Sequence, residues 1–306
     1  MNLSRIKRWI LLGHRWLGIG TCLLFFLWFL SGVVMMYVGH PKLTWQERLE
    51  HLPPLEASQP LLSPADAFRQ AGIQGTVTDL RLANARAGQP VYIARIRPDT
   101  RPAPDAPQPD PRLVALDART GALLPPTDPA TALASAQAYL EQAGLSHPSS
   151  SGTPPAASPR QPSPATAQDT PGKPLYQGVT VEDAHTHSAA MDLHRPLHKV
   201  LLPDAEQTLL YISGTTGEVV RDAPRLERGF NYLGAWLHWL YLFRDTAIDW
   251  TDLIIWLSVI GTVATISGFL SGIIRWRFSR PYRSGSRSPF APGALRWHHI
   301  LGLVFA

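Results

Sequence analysis

Apolar residues gather into two unbroken runs, 17–38 and 253–274, each of 22 residues without a charged side chain. At a helical rise of about 1.5 Å per residue, either run covers the roughly 30 Å hydrocarbon core of a bilayer. The pattern predicts two membrane-spanning helices, over 1–38 with its lead-in and over 252–276. The second carries Ser267-Gly268 and Ser271-Gly272, small pairs four residues apart that let a neighbouring helix approach closely. A third apolar stretch opens at His298 and has only nine residues, 298–306. Nine residues do not cross a bilayer, so the expectation is a chain truncated in its third transmembrane helix, or an end that is not a span.

Between the runs the pattern changes to short periodic segments. Over 39–126, Ser63-Pro64 opens a capped helix to Ala71, with proline at the first helical position. The β-rich runs Val91–Arg97 and Leu113–Asp117 follow, joined by a Pro/Ala-rich loop over 98–112 that reads as long and mobile. A second unit opens with an alanine-rich helix, Asp128–Gly144, within 127–145. It continues after a Pro/Ser/Ala-rich insert, 146–174, whose composition predicts disorder. Over 175–230, the runs 196–202 and Thr208–Ile212 form another hairpin. Ser213–Val220 (SGTTGEVV) aligns without gaps on Asp117–Leu124 (DARTGALL). Two helix-plus-hairpin units ending in the same Thr-Gly turn suggest a tandem repeat. The expected fold class is therefore membrane α-helical with an α+β soluble region.

Within 231–251, Asn231–Arg244 reads as an interfacial helix, with Leu233, Trp236, Leu237, Leu240 and Tyr241 at helical spacing. His238 falls off that stripe, on the face of Gly234 and Leu242.

Charge orients the layout. The net charge is +5, yet residues 1–16 hold four basic side chains and 275–296 hold six, neither block with an acid. The remaining 18 basic residues face all 23 acids, so the middle of the chain is acidic. By the positive-inside tendency the N-terminus and the 277–297 loop are cytoplasmic and the region between the spans lies outside. In a bacterial inner membrane that outside is the periplasm. Membrane lipid, not nucleic acid, accounts for the basic residues. Trp9, Trp276 and Trp297 fit the inner interface; Trp45, Trp236, Trp239 and Trp250 fit the outer one. Cys22, the single cysteine, excludes an intrachain disulfide. The N-terminal run is too long for a cleaved signal peptide and no Ala-x-Ala site follows, so it reads as a signal anchor.

The chemistry-bearing residues are histidines. His14 stands at the mouth of the first run with Gly18 one turn on, and His298 with Gly302 repeats the spacing. No nucleophile elbow, phosphate loop or dinucleotide fingerprint is present. Taken in order, the Thr-Gly-terminated hairpins, SGVVMMY, LHWLYLF, ISGFLSGIIRW and RWHHILGL resemble bacterial PepSY-associated transmembrane proteins. The resemblance covers most of the chain except the Pro/Ser-rich insert. It implies an inner-membrane protein with periplasmic PepSY domains, some members being ferrisiderophore reductases that hold haem b between membrane histidines. It departs from the family at Ser213, where aspartate is usual, and in having only the start of a third span.

Haem in an electron-transfer site takes two axial ligands, and imidazole is a common choice. His14 with either His298 or His299 would hold one haem at the cytoplasmic side. His238 would serve a second haem at the outer side, with His40 its nearest candidate partner. The competing reading makes these interfacial histidines among aromatic residues. The set His185, His187, His194 and His198 suggests a metal site less well than a solvated polar edge. The resemblance implies ferric iron or a ferric siderophore as electron acceptor, and a quinone or another protein as donor. The alternative is a non-enzymatic, membrane-tethered PepSY module that binds peptides or regulates a protease.

Overall fold

The computed structural model describes residues 3–56, 58–99, 110–146, 172–244, 246 and 248–305. Most of the 146–174 insert and of the 98–112 loop therefore lies outside the described residues. In chain order the elements begin with helices α1 (Leu3–Tyr37), α2 (Trp45–Glu50) and α3 (Pro64–Gln70). Strands β1 (Thr76–Arg86), β2 (Gln89–Arg97) and β3 (Arg112–Asp117) come next, then helix α4 (Pro129–Ser146). Strands β4 (Leu175–Thr180), β5 (Leu197–Leu201), β6 (Leu209–Ser213) and β7 (Val219–Ala223) complete the β structure. Helices α5 (Arg225–Asn231), α6 (Trp250–Arg275) and α7 (Ala294–Val304) close the chain. These elements form two compact units, Met1–Tyr37 with Leu233–Ala306, and Val38–Tyr232.

In the helical unit, α1 and α6 are long and apolar enough to cross a membrane. Their large apolar side chains face outward; Leu23, Phe26, Phe29 and Trp256 are all exposed. A core helix of a water-soluble protein hides such a face. The two helices run antiparallel, and small residues of α6 receive the bulky ones of α1. Phe25 packs at Gly261 and His14 packs at Gly268. Asp249 caps α6, its carboxylate accepting from Thr251 N at 2.8 Å and Asp252 N at 3.2 Å.

The single helix expected over Asn231–Arg244 is not formed as one element. After α5 comes a π turn, Tyr232–Trp236, and Leu240 turns left-handed (φ 54°) before a short 3-10 turn, Tyr241–Phe243. Apolar spacing alone does not say which side meets α1. Gly234 and His238 face it, whereas Leu233 of the apolar stripe stays exposed. A Cβ on Gly234 would lie 3.1 Å from Met35 Cγ, so glycine lets the backbone come close.

The soluble unit is α+β with two antiparallel sheets, β1-β2-β3 and β4-β5-β6-β7. Helix α3 begins as expected, with Ser63 Oγ accepting from Asp66 N. It sets Ala67 and Phe68 against Tyr92, Leu116 and Ala118 of the first sheet. Val91 and Ile93 point the opposite way and pack with Ala85 and Leu52. Helix α4 likewise lays Ala132, Ala136 and Tyr139 on Val200, Leu210 and Ile212, while Leu197 and Tyr211 pack on the other face with Met191. Both faces of the central strands are covered, which is why β2 and β6 carry almost continuous apolar runs.

Strands β1 and β4 are additions to the expected hairpins. Both are edge strands. β1 shifts register between Val77 and Asp79 and again between Ala83 and Arg86, and β4 bulges between Tyr176 and Gly178. Neither keeps the clean alternation by which a strand is recognised.

The repeated turn is real in backbone geometry. Asp117 Oδ1 accepts from Arg119 N at 2.7 Å and Thr120 N at 3.0 Å, and Gly121 N donates to Asp117 O at 2.8 Å. Ser213 Oγ accepts from Thr215 N at 3.3 Å and Thr216 N at 3.0 Å, and Gly217 N donates to Ser213 O at 2.9 Å. Gly121 and Gly217 sit at φ 69° and 78°, a left-handed conformation that favours glycine. The Ser213 hydroxyl thus does what the Asp117 carboxylate does.

The second of these turns also joins the two halves. Ser135 Oγ of α4 donates to Gly217 O and accepts from Ala87 N of the β1–β2 turn, both at 2.8 Å. Next along, Glu218 takes Arg48 from α2 and Arg81 from β1.

Asp222 of β7 is a half-buried acid. Burial first, then the like charge of Glu47, pushes the Asp222 carboxyl up to about 6. An unfolded aspartate ionises at about 3.9, so folding is most favoured below that pH and loses stability as pH rises towards 6. Asp222→Asn should therefore stabilise the protein by about 1–2 kcal/mol at pH 7.5 and by almost nothing at pH 4. Thermal melts of the full chain in detergent at the two pH values check this; equal effects at both would refute it.

Candidate functional site

His14 lies in the fourth turn of α1, packed against α6. Its Nδ1 is 3.2 Å from the Ala264 carbonyl oxygen and 3.4 Å from Ser267 Oγ. A carbonyl only accepts, so that partner assigns the hydrogen to Nδ1 and leaves the Nε2 lone pair for another use. Gly268 makes the approach possible, because a Cβ there would stand 2.8 Å from His14 Cε1. From α7, the exposed His298 ring lies nearly parallel to His14, with centroids 6.3 Å apart and planes inclined by 22°. One turn beyond each histidine, a Cβ on Gly18 or Gly302 would meet nothing within 4 Å, so the space there is open.

His299 is placed differently. It is buried, with Nε2 3.0 Å from the Gly272 carbonyl oxygen and Nδ1 2.8 Å from Ser288 Oγ. Of the two neighbouring histidines on α7, the one that meets His14 is His298.

His238 sits against the far part of α1. Its Nδ1 lies 3.2 Å from the Trp28 carbonyl oxygen and 3.1 Å from Ser31 Oγ, and Gly32 leaves room for its ring. From His14 to Ser31 the helix rises about 25 Å. His14, His298 and His299, the other histidines of this unit, all lie at the opposite end. His40 belongs to the soluble unit, where its Nδ1 is 3.1 Å from the Pro41 carbonyl oxygen and 3.3 Å from Arg221 Nη1. Burial holds the His40 pKa below its ordinary value.

His185, His187, His194 and His198 each have a separate partner. His185 Nδ1 accepts from Asn231 Nδ2 at 3.1 Å, and burial drives its pKa down to about 4. His187 pairs with Glu182, His194 Nδ1 meets Ser213 Oγ at 3.1 Å, and His198 Nδ1 meets the Tyr176 hydroxyl at 2.8 Å. Among the described residues no three His, Cys, Asp or Glu side chains converge to hold a metal ion.

Several participants escape sequence reasoning. Ala264 contributes only a carbonyl, and Ser288 sits in a basic loop with no pattern around it. The small residues of α6 were legible as a packing stripe, although not as the seat of a histidine. No family model, curated protein or solved structure matches this chain.

Proposed function

We propose that this chain is a haem-b electron-transfer protein of the inner membrane, of the PepSY-associated transmembrane kind. One observation carries the proposal: two histidines from two helices face each other across 6.3 Å at one end of an apolar helical unit. A metal–imidazole bond is about 2 Å, so two rings that share one metal have centres about 6 Å apart. The His14 tautomer suits a ligand, and the open space beside Gly18 and Gly302 suits a flat macrocycle. Haem b, when bound, supplies reversible one-electron transfer. The chain's own residues hold it through His14 and His298, and orient His14 by the Ala264 carbonyl. The apolar helices keep water away. The acid-free basic blocks support a cytoplasmic reading of this end, where a quinone or a donor protein would deliver electrons. Ferric iron or a ferric chelate on the periplasmic side is the acceptor. The test is colour: the purified protein should show a dithionite-reducible b-type spectrum, and its absence would overturn the proposal.

A membrane-tethered PepSY peptide-binding module is the second reading. Its support is β4, which stands at the edge of its sheet among the described strands and leaves Leu175 and Val179 exposed, with Val181 just beyond, a kind of edge that an extended peptide can join. A colourless protein that binds extended peptides would favour it.

Topology has its own test. With the N-terminus and the 277–297 loop cytoplasmic, an alkaline phosphatase fusion at Ser150 should be active and one at Ser286 inactive, since that enzyme matures only outside the cytoplasm. Activity at Ser286 would reverse the assignment.

A further inference from the structure

We infer that His299 is a positioning residue: it locks α7 onto α6 and so turns His298 toward His14. The inference rests on the haem reading above and deepens it, since it selects which of two adjacent histidines is the ligand.

A ligand needs one nitrogen with a free lone pair. His299 has none. The Gly272 carbonyl assigns a hydrogen to Nε2, at 3.0 Å, and the Ser288 hydroxyl then fills the Nδ1 lone pair, at 2.8 Å. Solvent does not compete for these bonds, since Ser288 is 1% and His299 7% accessible and Gly272 is buried. The ring is also gripped at its edges, by Trp276 with centroids 5.8 Å apart and by Phe290 at 5.5 Å. Between those aromatics the loop is folded, with Arg277 N donating to Arg287 O at 3.0 Å and Arg277 stacked 4.1 Å over the Tyr282 ring.

Helix α7 lies flush on α6 at the same place, because a Cβ on Gly272 would stand 2.7 Å from Leu303 Cδ2. Consecutive helical residues point about 100° apart. Once His299 is fixed on α6, the direction of His298 is fixed too, and it is towards α1. Helix α6 thus orients one histidine from each neighbour through a backbone carbonyl: Ala264 O takes Nδ1 of His14, and Gly272 O takes Nε2 of His299. The first arrangement leaves a ligand nitrogen free and the second does not.

The test uses the full chain in detergent, with haem-to-protein ratio and low-spin fraction read by absorption and electron paramagnetic resonance. His299→Gln is the informative variant. Its amide can donate to the Gly272 carbonyl but offers iron no lone pair of the imidazole kind. His298→Ala should lose low-spin haem at least tenfold, and His299→Gln should keep most of it. His299→Ala should keep haem but shift part of it to high spin, because His298 is no longer aimed. Loss of haem in His299→Gln as complete as in His14→Ala, with His298→Ala intact, would make His299 the ligand and overturn the inference. Unchanged spectra in both His299 variants would overturn it as well. Should the wild type carry no haem, the functional proposal fails, and nitrogen-15 NMR of labelled histidines decides the tautomers on their own. His299 as Nε2–H with His14 as Nδ1–H supports the arrangement, and His299 as Nδ1–H refutes it.

Discussion

Replacing Glu218 with alanine is expected to lower the stability of the soluble unit by about 3–5 kcal/mol, the cost of breaking a buried ion pair from one side. The carboxylate is 2% exposed. It meets Arg48 Nη1 at 2.6 Å and Arg81 Nη2 at 2.9 Å, and Thr216 Oγ1 donates to it at 3.3 Å. Truncation leaves two guanidinium groups facing a cavity with no counter-charge. For a unit of this size each kcal/mol moves the melting point by about 2–4 °C, so a fall of about 6–20 °C is expected. Glu218→Gln keeps the shape and loses the charge, and should fall between the variant and the parent. The effect also has a pH signature. Burial alone would push the Glu218 pKa up, but Arg48 and Arg81 outweigh it and hold it below the ordinary glutamate value. A depressed folded pKa means that the stabilisation is present above the unfolded pKa, about 4.3, and is lost as pH falls through the folded one. Melting curves of parent and variant should therefore converge on acidification. An unchanged melting point at pH 7.5 would show that the two halves hold together without this ion pair.

If the proposed haem site holds, His14→Ala is expected to lower low-spin haem at least tenfold while leaving the amount of chain in the membrane fraction unchanged. Insertion depends on the charge-free run 17–38, which the substitution does not touch. On the proposed haem reading, the lost coordination bond would have no local substitute: Arg15 is a cation without an acceptor, and the Trp16 ring nitrogen only donates. Gly268→Ala should weaken the same signal without abolishing it, since the new Cβ would press on His14 Cε1 and displace the ring. A merely interfacial histidine behaves otherwise, because surface substitutions typically shift stability by within about 0.5 kcal/mol and leave no spectral trace. An unchanged haem-to-protein ratio in His14→Ala would reduce His14 to an interfacial anchor.

The two apolar helices were legible because 22 residues without a charge leave few physical alternatives to a helix that exposes apolar surface. Helix α3 was legible through its cap, and α4 through its alanines. The β2–β3 and β5–β6 hairpins stood out because both faces of those strands are buried. The Thr-Gly repeat was legible for a backbone reason: its last position needs φ > 0, and its first needs a side-chain oxygen for two amides. Strands β1 and β4 were hidden, since an edge strand with a solvated face can carry charges and a bulge without losing its place.

The histidines divide along the same line. Spacing set His14 and His298 in matching positions and kept His299 as a competing ligand, although Arg15 holds its counterpart place on α1, so spacing does not decide between the two neighbours. Packing against α6 does. The backbone carbonyls of Ala264 and Gly272 bind different nitrogens of His14 and His299, and a carbonyl on another helix leaves no mark in the sequence of the histidine that it holds. Glu218 shows the same limit in the soluble unit. Its place after the Thr-Gly turn was readable, but its two arginines come from positions 170 and 137 residues away. Only the tertiary fold brings those charges together, because chain spacing encodes local geometry and carries no record of which distant side chain will stand opposite.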